Sequence, residues 1–344
     1  MSPQISIVIL NWNGRDDTLA CLDSVFRIEY PSFDVIVADN GSADGSVSAV
    51  RAQFPSVHII ENKANLGFAG GNNPAIFHAL TSGAEFIFLL NNDTVVDSGI
   101  LRAFIDASNR IPNAGIFGAK IYYFAKKDTI WYAGGWWNQR NLRFGDYGAN
   151  QVDYGQFDEI SRTDWVIGCA LFARAEVFKN VGLLEEKFFL NYEEIDFCFR
   201  AKSAGYDCAF TPFARVWHKV SVSFGGDNSP LKAYFNERNR LLWARRNMSY
   251  VNQLRIYVRA THAFLARTLR PLLGRTIAGR RNLKTWWWAI VAEYRSPLNR
   301  ALARGYVDFW LRRFGDCPDS VRSMNYKWSS LNLGNRANAK SPTD

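Results

Sequence analysis

The sequence predicts an α/β fold: a mostly parallel sheet flanked by helices, followed by a basic helical extension. Three observations predict it. Short apolar, β-rich runs alternate with stretches of helical spacing, the pattern of successive βαβ units. Several of those runs are apolar throughout rather than alternating, as in strands buried on both faces. The charge is split along the chain. Residues 1–230 hold 19 Lys+Arg and 26 Asp+Glu, a net of −7, and residues 231–344 hold 22 and 6, a net of +16. An acidic body with a basic C-terminal third suggests two jobs, the second with an anionic partner.

The elements follow in order. "ISIVIL" (5–10) is a strand, and the polar turn "NWNG" follows it. "DDTLACLDSVF" (16–26) sets Leu19, Leu22 and Phe26 at helical spacing, with Asp16 and Asp17 where the helix dipole favours acids. "DVIVA" (34–38) and "VHII" (57–60) are the next strands, "FIFLL" (86–90) the fourth and "GIFGAKIYY" (115–123) the fifth, with a helix around 98–109. From about 125 to 165 the pattern gives way to Gly, Trp, Tyr and Asn, an irregular insertion or antiparallel patch of a length that is often functional. Order resumes with "DWVIGCALFA", a helix over "RAEVFKNVG" and a helix over 193–205 that Gly205 stops, with Ile195, Phe199 and Ala201 inward. "CAFTP" is a short strand leading to "VWHKVS". Beyond 230 the chain reads as helical, basic and aromatic to about 315. This divides it into a body over 1–250, a basic aromatic-rich helical region over 251–330 and a disordered tail over 331–344.

The 344 residues, 48% of them hydrophobic, suffice for one large domain or two modest ones. Five cysteines, an odd number with no C-x-x-C, exclude a disulfide framework and a zinc site and point to a reducing compartment. "MSPQISIVIL" enters a strand at once, with no basic region or cleavage site of a signal peptide. No apolar run of about 20 residues predicts a membrane-spanning helix.

Three strands end in polar clusters: Asn11-Trp12-Asn13, Asp39-Asn40 and Asn91-Asn92-Asp93. In a parallel sheet these ends share the carboxyl edge, where open α/β sheets bind ligands. Taken alone, Asp93 reads as a helix cap. Three such ends together read as a pocket for a polar ligand with a planar part. An Asp could accept the N3–H of a uracil or thymine ring, and a third carboxylate could hold a divalent cation against a diphosphate. "NLGFAGGNN" (65–73) is not the G-x-G-x-x-G fingerprint, which disfavours a dehydrogenase. Glu193, Glu194 and Asp196 open a helix among Phe188, Phe189, Tyr192 and Phe197. Acids suit a helix N-terminus, yet apolar surroundings and like charge would also raise a carboxylate's pKa toward use as a base. With only four histidines there is no His-rich metal site, but His218 with one Asp and a diphosphate could share Mg²⁺ or Mn²⁺. Tyr234, Arg238, Leu241 and Arg245 share a helix face, from which Arg238 reaches a phosphate or snorkels at the surface.

Eight segments in order, "SIVILNWNG", "VIVADNGSADGS", "NLGFAGGNN", "FLLNNDT", "DWVIGCALFARAEVF", "FFLNYEEIDFCFRAKSAGY", "VWHKVSVSFGG" and "YFNERNRLLWARR", resemble the motifs of family 2 glycosyltransferases of the GT-A type. Within them the chain is most similar to the bacterial rhamnosyltransferase-like branch that builds surface polysaccharides, over about 4–250. The resemblance implies a Rossmann-like GT-A catalytic domain and an inverting, metal-dependent transfer from a nucleoside-diphosphate sugar to a glycan or lipid-linked acceptor. It implies that Asn11, Trp12, Asp39 and Asn65 line the nucleoside pocket, and that Asn91-Asn92-Asp93 stands for the D-x-D element. Asp93 and His218 would then be the ligands of Mg²⁺ or Mn²⁺, and Asn91 and Asn92 would lie near ribose and diphosphate. Gly168 and Cys169 would border the sugar and acceptor beside Glu193, with Arg238 toward the donor. The general base is an Asp of an E-D pair in the family. Here Glu194 takes its place, with Asp196 as the alternative.

The basic region mixes Arg with Trp and Leu, as in "RIYVRATHAFLARTLRPLL" and in "RRNLKTWWWAIVAEYR" with Trp286, Trp287 and Trp288. That suits a helix lying on an anionic membrane surface or an ordinary helical subdomain. The expectation is a cytoplasmic enzyme, peripheral on the inner face of the cell membrane, with no nucleic-acid partner. Two other classes stay open: a non-catalytic sugar-nucleotide binder or scaffold, because Glu replaces Asp, and a nucleotidyltransferase. The latter would place a glycine-rich loop where "NWNG" stands.

Overall fold

The computed structural model describes residues 2–220, 229–273 and 296–326. Trp286 to Trp288 and the tail over 331–344 lie outside the described residues. Contacts divide the chain into two compact units, Met1–Val220 and Ser221–Asp344. The boundary near 250 expected from sequence thus falls inside the second unit.

The first unit is built on β1 (Ile5–Asn11), β2 (Phe33–Asp39), β3 (His58–Glu61) and β4 (Phe86–Asn91), with helices α1 (Arg15–Val25), α2 (Ser46–Gln53) and α3 (Gly67–Thr81) between them. β1 pairs in parallel with β2 on one side and β4 on the other, and β2 with β3. The apolar runs earn this position. Ile7, Val8, Ile9, Ile36, Val37, Ile87, Phe88 and Leu89 are all buried, as strands covered on both faces require. The register Leu10–Asn91 and Asn11–Asp39 sets the three polar strand ends side by side.

The rest of the sheet is mixed, which runs of apolar residues could not disclose. β5 (Thr94–Val96) follows a two-residue turn, so Asp93 sits in a strand–strand turn rather than at a helix cap. α4 (Ile100–Arg110) and β6 (Ala114–Tyr123) come next. The 125–165 insertion resolves into the antiparallel patch, with β7 (Lys126–Tyr132), β8 (Gly135–Asn138), β9 (Arg143–Asp146) and β10 (Ser161–Thr163). β8 and β9 form a separate hairpin. β11 (Ala170–Arg174) runs antiparallel between β4 and β6. α5 (Ala175–Val181), a 3₁₀ turn (Glu186–Phe188) and α6 (Glu193–Ser203) lead to β12 (Asp207–His218). β12 is one long strand that runs on through "VWH", with an irregularity between Thr211 and Arg215, where only a short strand over "CAFTP" was expected.

Lys120 on β6 fixes the insertion to the sheet. It is buried, and its ammonium donates to Asp153 at 2.9 Å and Asp158 at 2.6 Å, while the Tyr122 hydroxyl donates to Asp153 at 2.5 Å. A buried ammonium without such partners would lose its hydration uncompensated.

The second unit contains α7 (Pro230–Asn247), α8 (Tyr250–Leu273) and α9 (Pro297–Trp310), which pack on one another. Arg238 is fully buried here rather than snorkelling. Its guanidinium lies over the rings of Tyr234 and Phe235 at 5.2 and 5.0 Å and donates to Asn239 at 3.0 Å. The Tyr234 hydroxyl in turn donates to the buried Asp308 at 2.9 Å.

Replacing Lys120 with Met should keep the packed stem and remove the ammonium. The expected loss is about 1–3 kcal/mol, below that of a fully buried pair because Asp158 is open to solvent. Denaturant unfolding measures it, and an unchanged midpoint would show that the insertion is held by its backbone alone.

Candidate functional site

The site lies at the carboxyl edge of β1, β2 and β4. Asn11 is buried there with both ends of its amide engaged. Its nitrogen donates to Asp39 at 2.7 Å and Ser42 at 3.1 Å. Its oxygen accepts from Thr18 at 2.8 Å, from the Gly14 N–H at 3.2 Å and from Asn92 at 3.2 Å. Asn11 thus binds the three strand ends to each other. Asp39 has its second oxygen on the Ser42 N–H at 2.9 Å. Trp12 follows Asn11 with 48% of its surface exposed, next to Asn13 in the left-handed region at φ 51°. Asn92 turns its amide inward to Asn11 and Thr18, whereas Asn91 is half-buried and bonded through its backbone to Cys169.

Asp93 and His218 meet. Asp93 Oδ1 lies 3.0 Å from His218 Nε2, although the residues are far apart in sequence. The sheet explains it: β12 pairs antiparallel with β5, and His218 stands opposite Thr94. Both ring nitrogens of His218 are buried without a hydrogen-bond partner, so the 3.0 Å approach lacks hydrogen-bond geometry. An orphaned imidazole beside a carboxylate fits a cation-ligating pair. Among the described residues no cluster of three or more His, Cys, Asp or Glu could hold a metal, so a cation here would need oxygens from its ligand. The Lys219 ammonium pairs with Asp17 nearby.

Glu194 sits at the first turn of α6. The strand register brings it to the same edge. Cys169, just before β11, accepts the Asn91 N–H at 2.9 Å, and a Cβ placed on Gly168 would lie 3.6 Å from that of Glu194. Glu193 and Glu194 each have one carboxylate oxygen buried without a partner. Burial pushes the Glu194 carboxyl up to about 7, with Asp146 adding to the rise against opposing backbone N–H groups. Burial and then Glu194 raise Glu193 well above the carboxylate range. Asp196 is fully buried and bonded to Arg200 at 2.8 Å, whose guanidinium also donates to the carbonyls of Val181 and Leu183. Burial and Asp93 push the Cys169 thiol well above its ordinary range, so it is no nucleophile.

The backbone leading to Glu194 is strained. Phe189, Asn191 and Tyr192 have φ of 62°, 65° and 78°, each in the left-handed region. Two contacts hold them. The Phe189 carbonyl accepts the Phe68 N–H at 2.6 Å. The Tyr192 ring meets Phe144, whose ring also lies 4.4 Å from Trp137, 6.2 Å from Trp165 and 5.9 Å from Phe199. Phe144 of β9 was not singled out by sequence, and its only signal was the aromatic richness of the insertion. Asn65 accepts the Gly67 N–H at 2.9 Å, and the glycine motif reaches Phe189 through the N–H of Phe68. Arg238 belongs to the second unit and its buried cluster.

Residues 3–244 match the family described as glycosyltransferase like family 2. The chain is 27% identical over 215 residues to an N-acetylglucosaminyl-diphospho-decaprenol L-rhamnosyltransferase of Mycobacterium tuberculosis, covering 56% of this chain and 68% of that protein. It is 25% identical over 259 residues to the dTDP-rhamnosyl transferase RfbF of Shigella flexneri, covering 72% and 82%. Among solved structures it is similar to a mannosyltransferase of Pyrobaculum calidifontis in complex with GDP-Man and Mn²⁺, at 15% identity and a TM-score of 0.55 over 91% of this chain and 88% of that one.

Gly67 has φ 71°, and a Cβ there would lie 2.2 Å from the Phe189 carbonyl oxygen. Gly67→Ala should therefore cost about 2 kcal/mol or more, because clash and conformational strain act together. Thermal unfolding reads the loss. A wild-type Tm would mean the loop shifts freely and does not brace the turn before Glu194.

Proposed function

The chain belongs to glycosyltransferase-like family 2, and on that premise we propose that it moves a sugar from a nucleoside-diphosphate donor to a hydroxyl of a glycan or lipid-linked acceptor. It is a glycosyltransferase with a GT-A type fold, related to rhamnosyltransferases and to enzymes of cell-surface polysaccharide synthesis. Rhamnose is the first candidate sugar, because two of the relatives are named for it. An acceptor on a polyprenyl diphosphate, as in the mycobacterial relative's name, would bring the enzyme to a membrane surface. The observation that carries the reading is the meeting of Asp93 and His218 beside the nucleoside-side strand ends.

The residues divide the work. Asp39, held by Asn11 and Ser42, would accept the N3–H of a pyrimidine base, with the half-exposed Trp12 flanking the ring. Asp93 and His218 would hold Mg²⁺ or Mn²⁺, with the donor diphosphate completing the ligand set. A divalent ion there supplies positive charge against the departing diphosphate. Glu194 takes the proton from the acceptor hydroxyl as that oxygen attacks the anomeric carbon from the face opposite the leaving group. One displacement gives inversion. Glu194 suits this step because burial raises its carboxyl to about 7, whereas Asp196 is committed to Arg200. Glu193, whose carboxyl is raised by burial and then by Glu194, lies beside the base toward the sugar and acceptor.

Glu194→Gln should lower turnover by roughly 10²–10⁴-fold with donor affinity little changed. The wild-type kcat/KM should rise with pH along a limb centred near the Glu194 value of about 7. Stability carries the opposite sign. A carboxyl raised from an ordinary 4.5 to about 7 favours the fold below 4.5, and that advantage is lost as pH rises through 7. Glu194→Gln should thus raise the unfolding free energy at pH 8, by at most about 3 kcal/mol, and hardly at pH 4. An active Glu194→Gln enzyme, paired with a dead Asp196→Asn, would move the base to Asp196.

Asp93→Asn and His218→Ala should each reduce transfer by roughly 10²-fold and weaken the Mn²⁺-dependent part of nucleoside-diphosphate binding. Calorimetry with and without Mn²⁺ reads this directly. Unaltered metal dependence in both variants would remove the pair from the cation site.

A further inference from the structure

We propose that the outer face of α8, together with the end of α9 beside it, is the surface by which this protein docks on an anionic lipid bilayer. The inference goes beyond the transfer reading, since neither base nor cation site is involved. On its inner side α8 buries Ile256 and Ala260. On the other side Val251, Leu254 and Val258 are 67%, 53% and 59% exposed. Their spacing of three and four puts them on one stripe. Arg255 and Arg259, one position further along, run beside that stripe and are exposed too. The 24 residues of α8 contain no acid. α9 extends the patch, for Trp310 is 49% exposed and its ring meets that of Tyr257, which flanks Leu254 on the helix surface, at 5.4 Å.

Charge selects the occupant. A row of apolar side chains edged by arginines, with an indole at the rim, matches a helix lying in the headgroup region. There the apolar groups enter the acyl boundary and the guanidiniums stay among phosphates. Nucleic acid offers no partner for Val251, Leu254 and Val258. A second copy meeting across a twofold axis would set the arginine rows toward each other. Among the described residues no helix is long and apolar enough to cross a membrane, so the surface lies on a bilayer rather than through it.

The test is sedimentation of the full chain with vesicles of phosphatidylcholine alone or mixed with phosphatidylglycerol. The wild type should pellet much more with the mixed vesicles than with phosphatidylcholine alone, and added salt should weaken but not abolish the binding. Arg255→Gln with Arg259→Gln should lower the partition coefficient about fivefold per arginine. Val251→Ser, Leu254→Ser and Val258→Ser together should remove the salt-resistant part. All five sites are exposed, and unchanged circular dichroism and donor binding would verify the fold. No pelleting by the wild type, or equal pelleting by every variant, overturns the proposal. So does lipid-independent dimerisation that Leu254→Ser abolishes. A protein that pellets as described yet transfers no sugar would sink the transfer reading and leave this one standing.

Discussion

The buried amide of Asn11 is bonded at both ends, and the site exists because those bonds can be made only in one arrangement of three strands. β1, β2 and β4 are covered on both faces, so their apolar runs fix depth and order but say nothing about how the strands stop. Each strand that leaves such a sheet must find partners for its polar end or lose hydration without return. Asn11 meets Asp39 and Ser42 through its nitrogen and Thr18, Gly14 and Asn92 through its oxygen. Loops that would otherwise be independent therefore share one geometry. The exposed face of Trp12 and the remaining lone pairs of Asp39 inherit their positions from it.

The second constraint is the placing of a partly buried carboxylate with one oxygen shut away from water and from any partner. Glu194 is held by a turn whose residues would not choose their own backbone angles, and the turn persists because two elements press on it. One is the glycine motif at Gly67, close against Phe189. The other is the β8–β9 hairpin, whose Phe144 touches Tyr192 and Phe199 on one side and Trp165 on the other. Desolvation disfavours the charged carboxylate and makes it a better proton acceptor, and the strained turn is what keeps Glu194 in that setting. A more relaxed turn would give a more stable protein and a weaker base, the usual tension between stability and function.

The C-terminal unit uses charge differently. Its interior holds Arg238 and Asp308 linked through the Tyr234 hydroxyl, a buried cluster in which one oxygen of Asp308 is left without a hydrogen bond. Its outer face carries exposed arginines beside apolar side chains. A positive excess confined to one third of a chain is therefore not one property: part of it is consumed in packing and part is presented outward.

Much of this was legible in the residues. The run "FIFLLNNDT" states that a doubly buried strand ends on amides and a carboxylate, and the pairing of β4 with β1 bears that out. The helices over 15–25, 100–110 and 193–203 follow from spacing and end signals because helical periodicity is local. What spacing could not give was the direction of β11, the single long β12 and the hairpin within the insertion. Strand pairing joins residues far apart in sequence, and an apolar run reads alike in parallel and antiparallel neighbours. The same limit governs the site. The sequence by itself determined which residue types stand at the strand ends and that two glutamates open a helix among aromatics. Only the tertiary structure decided that Asp93 faces His218, that Arg200 occupies Asp196, that Arg238 is buried in its own unit and that Phe144 braces Tyr192. Each of those depends on which surfaces the sheet brings within a few ångströms, and distance in space is not written in distance along the chain.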